Sequence, residues 1–337
     1  MATQTVFRFV NRTGFDGLQP FKEPIPAPGP GEILIKIRSV GLNYRDIAIA
    51  TGNYPMTVKE NVIPCIDMAS EIVKLGPMPK TNKMAGHVTH TIPTLLEGGL
   101  SDGFLCEYVA LPAHVVIKLE NCTIQEDYLR WSVAPCVLTM AWNSLYGLRP
   151  ILPGQTVVCL GTGGVSIATL LLAKAAGATT IITSSSDEKL ATIKAGFGAD
   201  HTINYRTILD WAEEVQKITC GRGAEQFIDI GGQGTLVHSL EAAALGGVVT
   251  IVGFLAPEKT AEGGPDPVML ILNKACIVRG VLGGTRQQQE DAYRCMIKHE
   301  LKLPVDKTFG FSRDEIIASL EYLASGAHIG KVAISLA

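Results

Sequence analysis

Charge is sparse in this chain and aromatic residues sparser, at 18% and 6% of the sequence. The formal net charge is only −3, so no pull toward nucleic acid or an anionic membrane surface is expected. No C-x-x-C pair occurs. The eight cysteines (65, 106, 122, 136, 159, 220, 276, 295) are scattered through mostly apolar contexts. That argues against a disulfide framework or a zinc knuckle and suits reduced thiols in a cytoplasmic protein. No apolar run is long enough to span a membrane. The most apolar region, 131–183, is interrupted by Pro135, Asn143, Arg149, Pro150, Pro153 and Lys174. The start, MATQTVFRF, has neither a secretory h-region nor an arginine-rich presequence. Internal repeats and low-complexity segments are also lacking.

What is present is apolar bulk: 47% of 337 residues are hydrophobic, enough for two well-buried domains. The stretch Thr156 to Ala178, TVVCLGTGGVSIATLLLAKAAGA, organises the rest. A valine-rich run of strand length breaks at Gly161-Thr162-Gly163-Gly164-Val165-Ser166 and continues as an alanine- and leucine-rich helix stopped by Gly177. Strand, glycine turn and helix together point to a dinucleotide site. Gly161 permits the tight turn. Gly163 lets the backbone approach a pyrophosphate, and the amides of Gly164, Val165 and Ser166 open the helix toward it. Ser166 stands where a third glycine is usual and is small enough for close strand–helix packing. An ordinary glycine-rich turn without a ligand is the alternative.

Before this stretch the pattern is short strands with proline and glycine turns. VFRFV near the start, 31–40 (GEILIKIRSV), the end of 64–75, a short piece at Val88 and 107–111 read as strands, with a proline-rich loop at 24–30. A small β-rich barrel is expected. From about Thr123 helices and strands alternate, with capping boxes expected at Thr123–Glu126 and Ser185–Glu188. Strands are expected at 179–183, 200–205, 227–230, 248–252 and 276–281, which means a doubly wound parallel sheet. The last forty residues, ending in VAISL, read as a return to the first domain. The expected division is 1–123, completed by 298–337, and 124–297.

PAPGPGEILIKIRSVGLNYRDIAIATGNYP, GLSDGFLCEYVALP, the 131–190 region, GADHTINYRT and HIGKVAISL together resemble the medium-chain dehydrogenase/reductase superfamily, in its zinc-independent, quinone oxidoreductase-like branch. The resemblance implies a GroES-like barrel built from both chain ends, a central Rossmann domain, a cofactor in the cleft between them, and a homodimer. It also marks a departure at the metal positions. A catalytic zinc takes three ligands of Cys, His or Glu, and Cys type. Here Asn43 stands at the first position, Ile66-Asp67-Met68 replaces Gly-His-Glu, and Pro135 falls at the third. A four-cysteine structural lobe is absent from 76–106. Asp67 and His87 read as a structural carboxylate and a surface histidine, and no metal is expected. The stretch from Pro77 to Leu100 is the least family-like.

Without a metal, a carbonyl needs a hydrogen-bond donor on its oxygen, or conjugation that lets a hydride add to the β-carbon. Tyr44 can be that donor, Arg45 can add positive charge, and Asn43 can orient substrate or the nicotinamide ribose. The resemblance places this loop beside the nicotinamide. A packing aromatic is the alternative for Tyr44, and a structural ion pair for Arg45 and Asp46. Thr139 matches a family threonine near the nicotinamide, with helix capping or packing as its alternative. The second strand of the central domain ends in Thr183-Ser184-Ser185-Ser186, not in the acidic residue that binds an NAD ribose. Ser184 and Ser185 leave room for a 2′-phosphate. The resemblance adds Lys189 and Tyr205 as phosphate contacts, and NADP(H) is expected as cofactor. Asp187 and Glu188 oppose this, but their first-turn placement fits helix capping. Gly231, Gly253 with Phe254, and Leu282-Gly283-Gly284 follow later strands at the same sheet edge, and Lys331 is expected to reach the cofactor from the last segment. The expectation is an NADPH-dependent reductase of an activated double bond in a small molecule. The alternatives are a zinc-free alcohol dehydrogenase or ketone reductase, and a non-redox protein that keeps the fold.

Overall fold

The computed structural model describes residues 2–77, 98–119, 125–256 and 265–336. The chain forms two compact units: Met1–Cys136 with Thr285–Glu290 and Lys302–Ala337, and Val137–Gly284 with Asp291–Leu301. The first unit thus runs past the expected boundary at 123, because the first helix after that point packs on its sheet.

In the first unit β1 (Thr3–Phe9) pairs with β2 (Leu18–Pro24) as an antiparallel ribbon. The sequence pattern hides β2, since Pro20 and Pro24 read as loop residues. Each pairs on a ribbon edge, where a missing amide costs no ladder bond. β3 (Glu32–Gly41) is the strand expected from period-two alternation, and it lies between β4 (Asp67–Leu75) and the last strand of the chain. α1 (Tyr44–Ala50) follows β3 directly, and β5 (Tyr108–Pro112) also pairs with β3. The helical region after 124 is two helices, α2 (Gln125–Ser132) and α3 (Pro135–Tyr146). Pro135 disfavours a helical residue before it and suits the first position of a new helix. Thr123 and Ile124 of the expected capping box lie outside the described residues.

The second unit holds β6 (Thr156–Cys159), α4 (Gly164–Ala175), β7 (Thr179–Ser184), α5 (Asp187–Phe197), β8 (His201–Asn204), α6 (Trp211–Ile218), β9 (Ala224–Asp229), α7 (Leu236–Ala242), β10 (Ala243–Ile251), α8 (Pro267–Lys274) and β11 (Ile277–Gly280). Its six strands are all parallel, in the order β11-β10-β9-β6-β7-β8. The order reverses at β6, where a doubly wound sheet offers its ligand crevice. Val158, Ile181, Ile203, Phe227 and Val249 fill its core. α5 is capped by Ser186, whose side chain accepts from the Lys189 amide, one residue later than the box expected at Ser185.

α9 (Arg286–Lys298) leads back toward the first unit, which is completed by β12 (Val305–Phe309), α10 (Arg313–Ala324) and β13 (Lys331–Ser335). β13 pairs with β3, and the barrel core collects Phe7, Phe9, Ile37, Leu105, Leu320 and Ile334. Both chain ends therefore build one β-rich unit, and the fold is α/β with a GroES-like barrel and a Rossmann sheet. Among the described residues no helix is long and apolar enough to cross a membrane, and the described cysteines are free thiols.

Candidate active site

The first unit holds a buried group of charges at the end of β3. Asp67 and Lys331 are only 1% and 3% exposed. The Lys331 ammonium donates to Asp67 Oδ2 at 3.3 Å, to Asn43 Oδ1 at 2.7 Å and to the Leu42 carbonyl. Asn43 Nδ2 donates to the same Asp67 oxygen at 2.8 Å. The other Asp67 oxygen accepts from the Cys136 amide at 2.8 Å, in the first turn of α3, where the helix dipole favours an anion. All three protons of the ammonium are directed at oxygen, so the buried pair is satisfied. Removing one partner of such a pair costs about 3–5 kcal/mol, because the other charge stays buried.

Asp46 supports the same turn from below. Its carboxylate accepts from the Asn43 amide at 2.8 Å and the Cys65 amide at 3.2 Å. Burial raises the Asp46 carboxyl above its ordinary value, with Arg45 and the Asn43 amide pulling it back. Arg45 lies over the Tyr54 ring, 5.3 Å from its centroid, and Asp46 is held by backbone amides. Tyr44, the first residue of α1, is 46% exposed.

One expectation is corrected here. Lys331 is buried against Asn43 and Asp67, not extended toward a cofactor. Half-buried Asn43 is tied to the same turn by hydrogen bonds from both ends of its side-chain amide. The sequence gives this cluster no distinct signal: an aspartate begins β4 and a lysine begins β13, but β4 also carries Glu71 and Lys74. The pairing of Asp67 with Lys331, 264 positions apart, follows from β3 lying between those strands.

The same residues test a catalytic zinc. Asn43 and Asp67 stand at two expected ligand positions, and their oxygens converge on an ammonium, which repels a dication and has no lone pair to offer. At the third position Pro135 has no donor. Burial and the nearby Asp67 push the adjacent Cys136 thiol up to about 12, so it is not a ready thiolate. This donor set does not fit a zinc ion. Among the described residues no three Cys, His, Asp or Glu side chains are grouped to hold a metal. His87 lies outside the described residues, as does most of the divergent stretch after Pro77.

The second unit places its expected residues along one sheet edge. Gly161 has φ +77°, and a Cβ there would lie 2.7 Å from Ile230 Cδ1, so the turn after β6 requires glycine. Gly163 differs: a Cβ there would meet nothing within 4 Å. It is the N-cap of α4, and no side chain caps that helix, which leaves the opening amides, Gly164 to Ser166, for an anion. Ser166 is fully buried, and its hydroxyl donates to the Leu160 carbonyl at 2.6 Å, closing helix onto strand in place of a third glycine. The residues present fit a dinucleotide pyrophosphate.

At the end of β7, Ser184 is buried and its hydroxyl accepts from the Ser186 amide at 3.2 Å. Ser185 and Lys189 are half-buried beside it, and Tyr205, past the end of β8, is 42% exposed. Asp187 accepts from Asn204 Nδ2 at 2.8 Å, so this acidic residue is tied down by the neighbouring strand. Gly231 follows β9, Gly253 and Phe254 follow β10, and Leu282, Gly283 and Gly284 follow β11, all at the carboxyl edge. Thr139 is buried on α3. Two positioning residues escape sequence reasoning. The buried Asp229 carboxylate accepts from the amides of Gly231 and Gly232, both at 2.9 Å, and from Ser239 Oγ at 2.8 Å. Asn143 donates to the Gly283 carbonyl at 2.6 Å and accepts from Arg279 at 2.9 Å. For Asp229 the signal was an acid inside the apolar strand FIDI.

Two family models match the chain: an alcohol dehydrogenase GroES-like domain over residues 29–121 and a zinc-binding dehydrogenase over 164–299. A zinc-type alcohol dehydrogenase-like protein of Schizosaccharomyces pombe is 36% identical over 96% of both chains. Prostaglandin reductase-3 of Mus musculus is 26% identical over 93% of this chain and 83% of its own. A solved putative alcohol dehydrogenase from Sinorhizobium meliloti 1021 is 30% identical over 100% of both chains, with a TM-score of 0.82. The glycine turn at a parallel sheet's switch point, the two-ended barrel and these relatives agree: the chain belongs to the medium-chain dehydrogenase/reductase superfamily of oxidoreductases.

Proposed function

We propose that this protein is an NADPH-dependent reductase of an activated carbon–carbon double bond, in an enone or quinone of small size, working without zinc. The observation that carries the reading is the donor set at residues 43, 67 and 135, which leaves a substrate carbonyl without a metal to polarise it. Conjugation then eases the reaction, because negative charge moves to an oxygen remote from the carbon attacked. Bound NADPH supplies the hydride. The chain supplies the rest. The open turn at Gly163 and the uncapped start of α4 receive the pyrophosphate. Ser184, Ser185, Lys189 and Tyr205 make a pocket of donors and one cation for a 2′-phosphate. Tyr44 is 46% exposed on a clamped turn, and its hydroxyl donates a hydrogen bond to the oxygen on which charge develops.

The name of the 26% identical prostaglandin reductase-3 supports a reductase. Reduction of an unconjugated ketone is the second reading, favoured by the alcohol dehydrogenase-like name of the 36% identical relative. We also propose that two copies pair along the β11 edge, the outer edge of the Rossmann sheet among the described residues, and that the protein works in the cytoplasm.

A fluorescence titration with NADPH and NADH in parallel, followed by turnover on a conjugated ketone and its saturated analogue, tests the reading. Expected are NADPH binding at least about tenfold tighter, a difference of about 1.4 kcal/mol, and cofactor consumption with the conjugated ketone. Preference for NADH would overturn the 2′-phosphate pocket. Turnover of the saturated ketone alone would move the assignment to the second reading.

A further inference from the structure

We propose that Asn204 is a specificity-determining positioning residue: it ties the Asp187 carboxylate to β8 and so keeps that charge away from a 2′-phosphate. The proposal rests on the NADPH reading and names the residue that makes the pocket tolerate the phosphate. Asn204 ends β8 and lies beside Ser184, its register partner at the end of β7. That is the point at which an NAD site carries its acid. The acid next after it in this chain is Asp187, which opens α5 and is exposed.

Asn204 itself is only 8% exposed, and its side-chain amide is engaged at both ends. Oδ1 accepts from the Arg206 amide at 3.0 Å. A backbone amide can only donate, so the main chain sets which way the side chain faces and leaves Nδ2 as the donor. Nδ2 donates to Asp187 Oδ1 at 2.8 Å. The Asn204 carbonyl accepts from the Thr207 and Ile208 amides at 3.2 and 2.8 Å, and the Tyr205 amide donates to the Ser184 carbonyl at 3.1 Å. The strand end is pinned, and the carboxylate bonded to it is pinned with it.

The first turn of α5 does not need this contact as its cap. Ser186 Oγ already accepts from the Lys189 amide, and a carboxylate gains from the helix dipole in any rotamer. The bond from Asn204 adds direction: among the rotamers open to an exposed aspartate it selects the one that reaches β8. Released, the carboxylate shares the helix start with Ser185 and Lys189. There it opposes a phosphate by like charge and can accept from the ribose hydroxyls of NAD. One hydrogen bond between a strand end and a helix start thus decides which cofactor the same side chains favour.

Wild type, Asn204→Leu, Asp187→Asn and the double variant form a cycle that tests this, read as Kd for NADPH and NADH by fluorescence. Asn204→Leu is expected to weaken NADPH about fivefold, the size of one like-charge contact at a solvated surface, and to leave NADH within about twofold. Asp187→Asn keeps an acceptor for Asn204 and loses the charge. The double variant is expected to recover the NADPH affinity that Asn204→Leu loses. The loss in Asn204→Leu should shrink in about 1 M sodium chloride, where charges are screened beyond about 3 Å. A double variant as weak as Asn204→Leu, or a loss shared equally by NADH, would overturn the charge role and leave Asn204 as a support for the Tyr205 turn. Unchanged NADPH binding in Asn204→Leu would overturn it as well. Asn204→Ser is too short to reach Asp187 but can still accept from the Arg206 amide, and it carries the same expectations should Asn204→Leu fail to fold. A wild type that prefers NADH would sink the NADPH reading alone. Coupling between positions 187 and 204 in the NADPH-to-NADH ratio still decides this proposal in that case, and its absence overturns it.

Discussion

At the scale of single residues, the proposed chemistry rests on side chains whose surroundings differ sharply. Tyr44 is exposed while its backbone is clamped, so Tyr44→Phe is expected to lower kcat about tenfold to a hundredfold through loss of one donor to the developing oxyanion. Its NADPH affinity should match wild type, and unchanged kcat would remove the hydroxyl from the mechanism. Lys189 belongs to the proposed 2′-phosphate pocket. Lys189→Ala is expected to weaken NADPH about tenfold while leaving NADH within about twofold, the loss of one charge-assisted contact to phosphate. Parallel titrations check this, and equal weakening would place the phosphate elsewhere. Ser184 was legible as a candidate because a hydroxyl stands where an NAD site has an acid, while Tyr44 and Lys189 were singled out with the help of the family resemblance. The partners of Lys331 and Asn43 were not legible, because a hydrogen bond between residues 43 and 331 leaves no local pattern in either segment.

At the scale of elements, two glycines of one turn have opposite jobs. Gly161 is required by its backbone, with φ +77° and Ile230 2.7 Å from a built Cβ. Gly161→Ala is expected to destabilise the protein by about 1–2 kcal/mol, read by denaturant unfolding. Gly163 has φ −78° and open space around it. Gly163→Val should fold with nearly wild-type stability and lose at least about tenfold in NADPH affinity, since the side chain enters the space where the helix amides meet an anion. A similar affinity would mean the pyrophosphate lies elsewhere. The next loop shows how charge fixes an element. Burial alone would raise the Asp200 carboxyl, but bonds from Lys174 at 2.7 Å and from the Thr180 amide and hydroxyl at 2.8 and 2.9 Å outweigh it and hold it below its ordinary value. A depressed carboxyl contributes stability above its unfolded value near 3.9, and the contribution is lost as pH falls through the folded one. Both side chains are about a third exposed, at 36% and 34%, so solvent screening limits it to about 1 kcal/mol. Asp200→Asn should therefore lose about that much at pH 7 and nothing near pH 2, measured by unfolding at each pH. Strand and helix succession in this half was readable from periodicity, except for α8 at Pro267–Lys274. Helix α10 and strand β2 were not: β2 carries two prolines, and α10 has its apolar face defined only by the barrel it covers.

At the scale of the whole molecule, β11 ends the Rossmann sheet among the described residues and has exposed apolar neighbours on α8, with Val268 and Leu272 each 69% exposed, and Ile277 on the strand itself at 40%. An unpaired strand beside such a surface invites a second copy. Light scattering of the purified protein is expected to give twice the chain mass, and Leu272→Asp combined with Ile277→Lys to give a monomer. A wild-type monomer would end the proposal. The sequence by itself determined the kind of molecule. A glycine turn between a valine-rich strand and an alanine-rich helix, followed by alternating strands and helices, points to a doubly wound dinucleotide fold. These are local signals, written within ten or twenty residues by strand and helix periods and by turn stereochemistry. How the residues at the metal positions pair was decided by tertiary structure alone. The sequence showed that cysteines and a histidine were missing there. Only the pairing of β13 with β3, which joins the two ends of the chain, brings the ammonium of Lys331 to Asn43 and Asp67. A charge at residue 331 acquires its meaning from the low-dielectric place to which the fold carries it, and no stretch of neighbouring residues records that place.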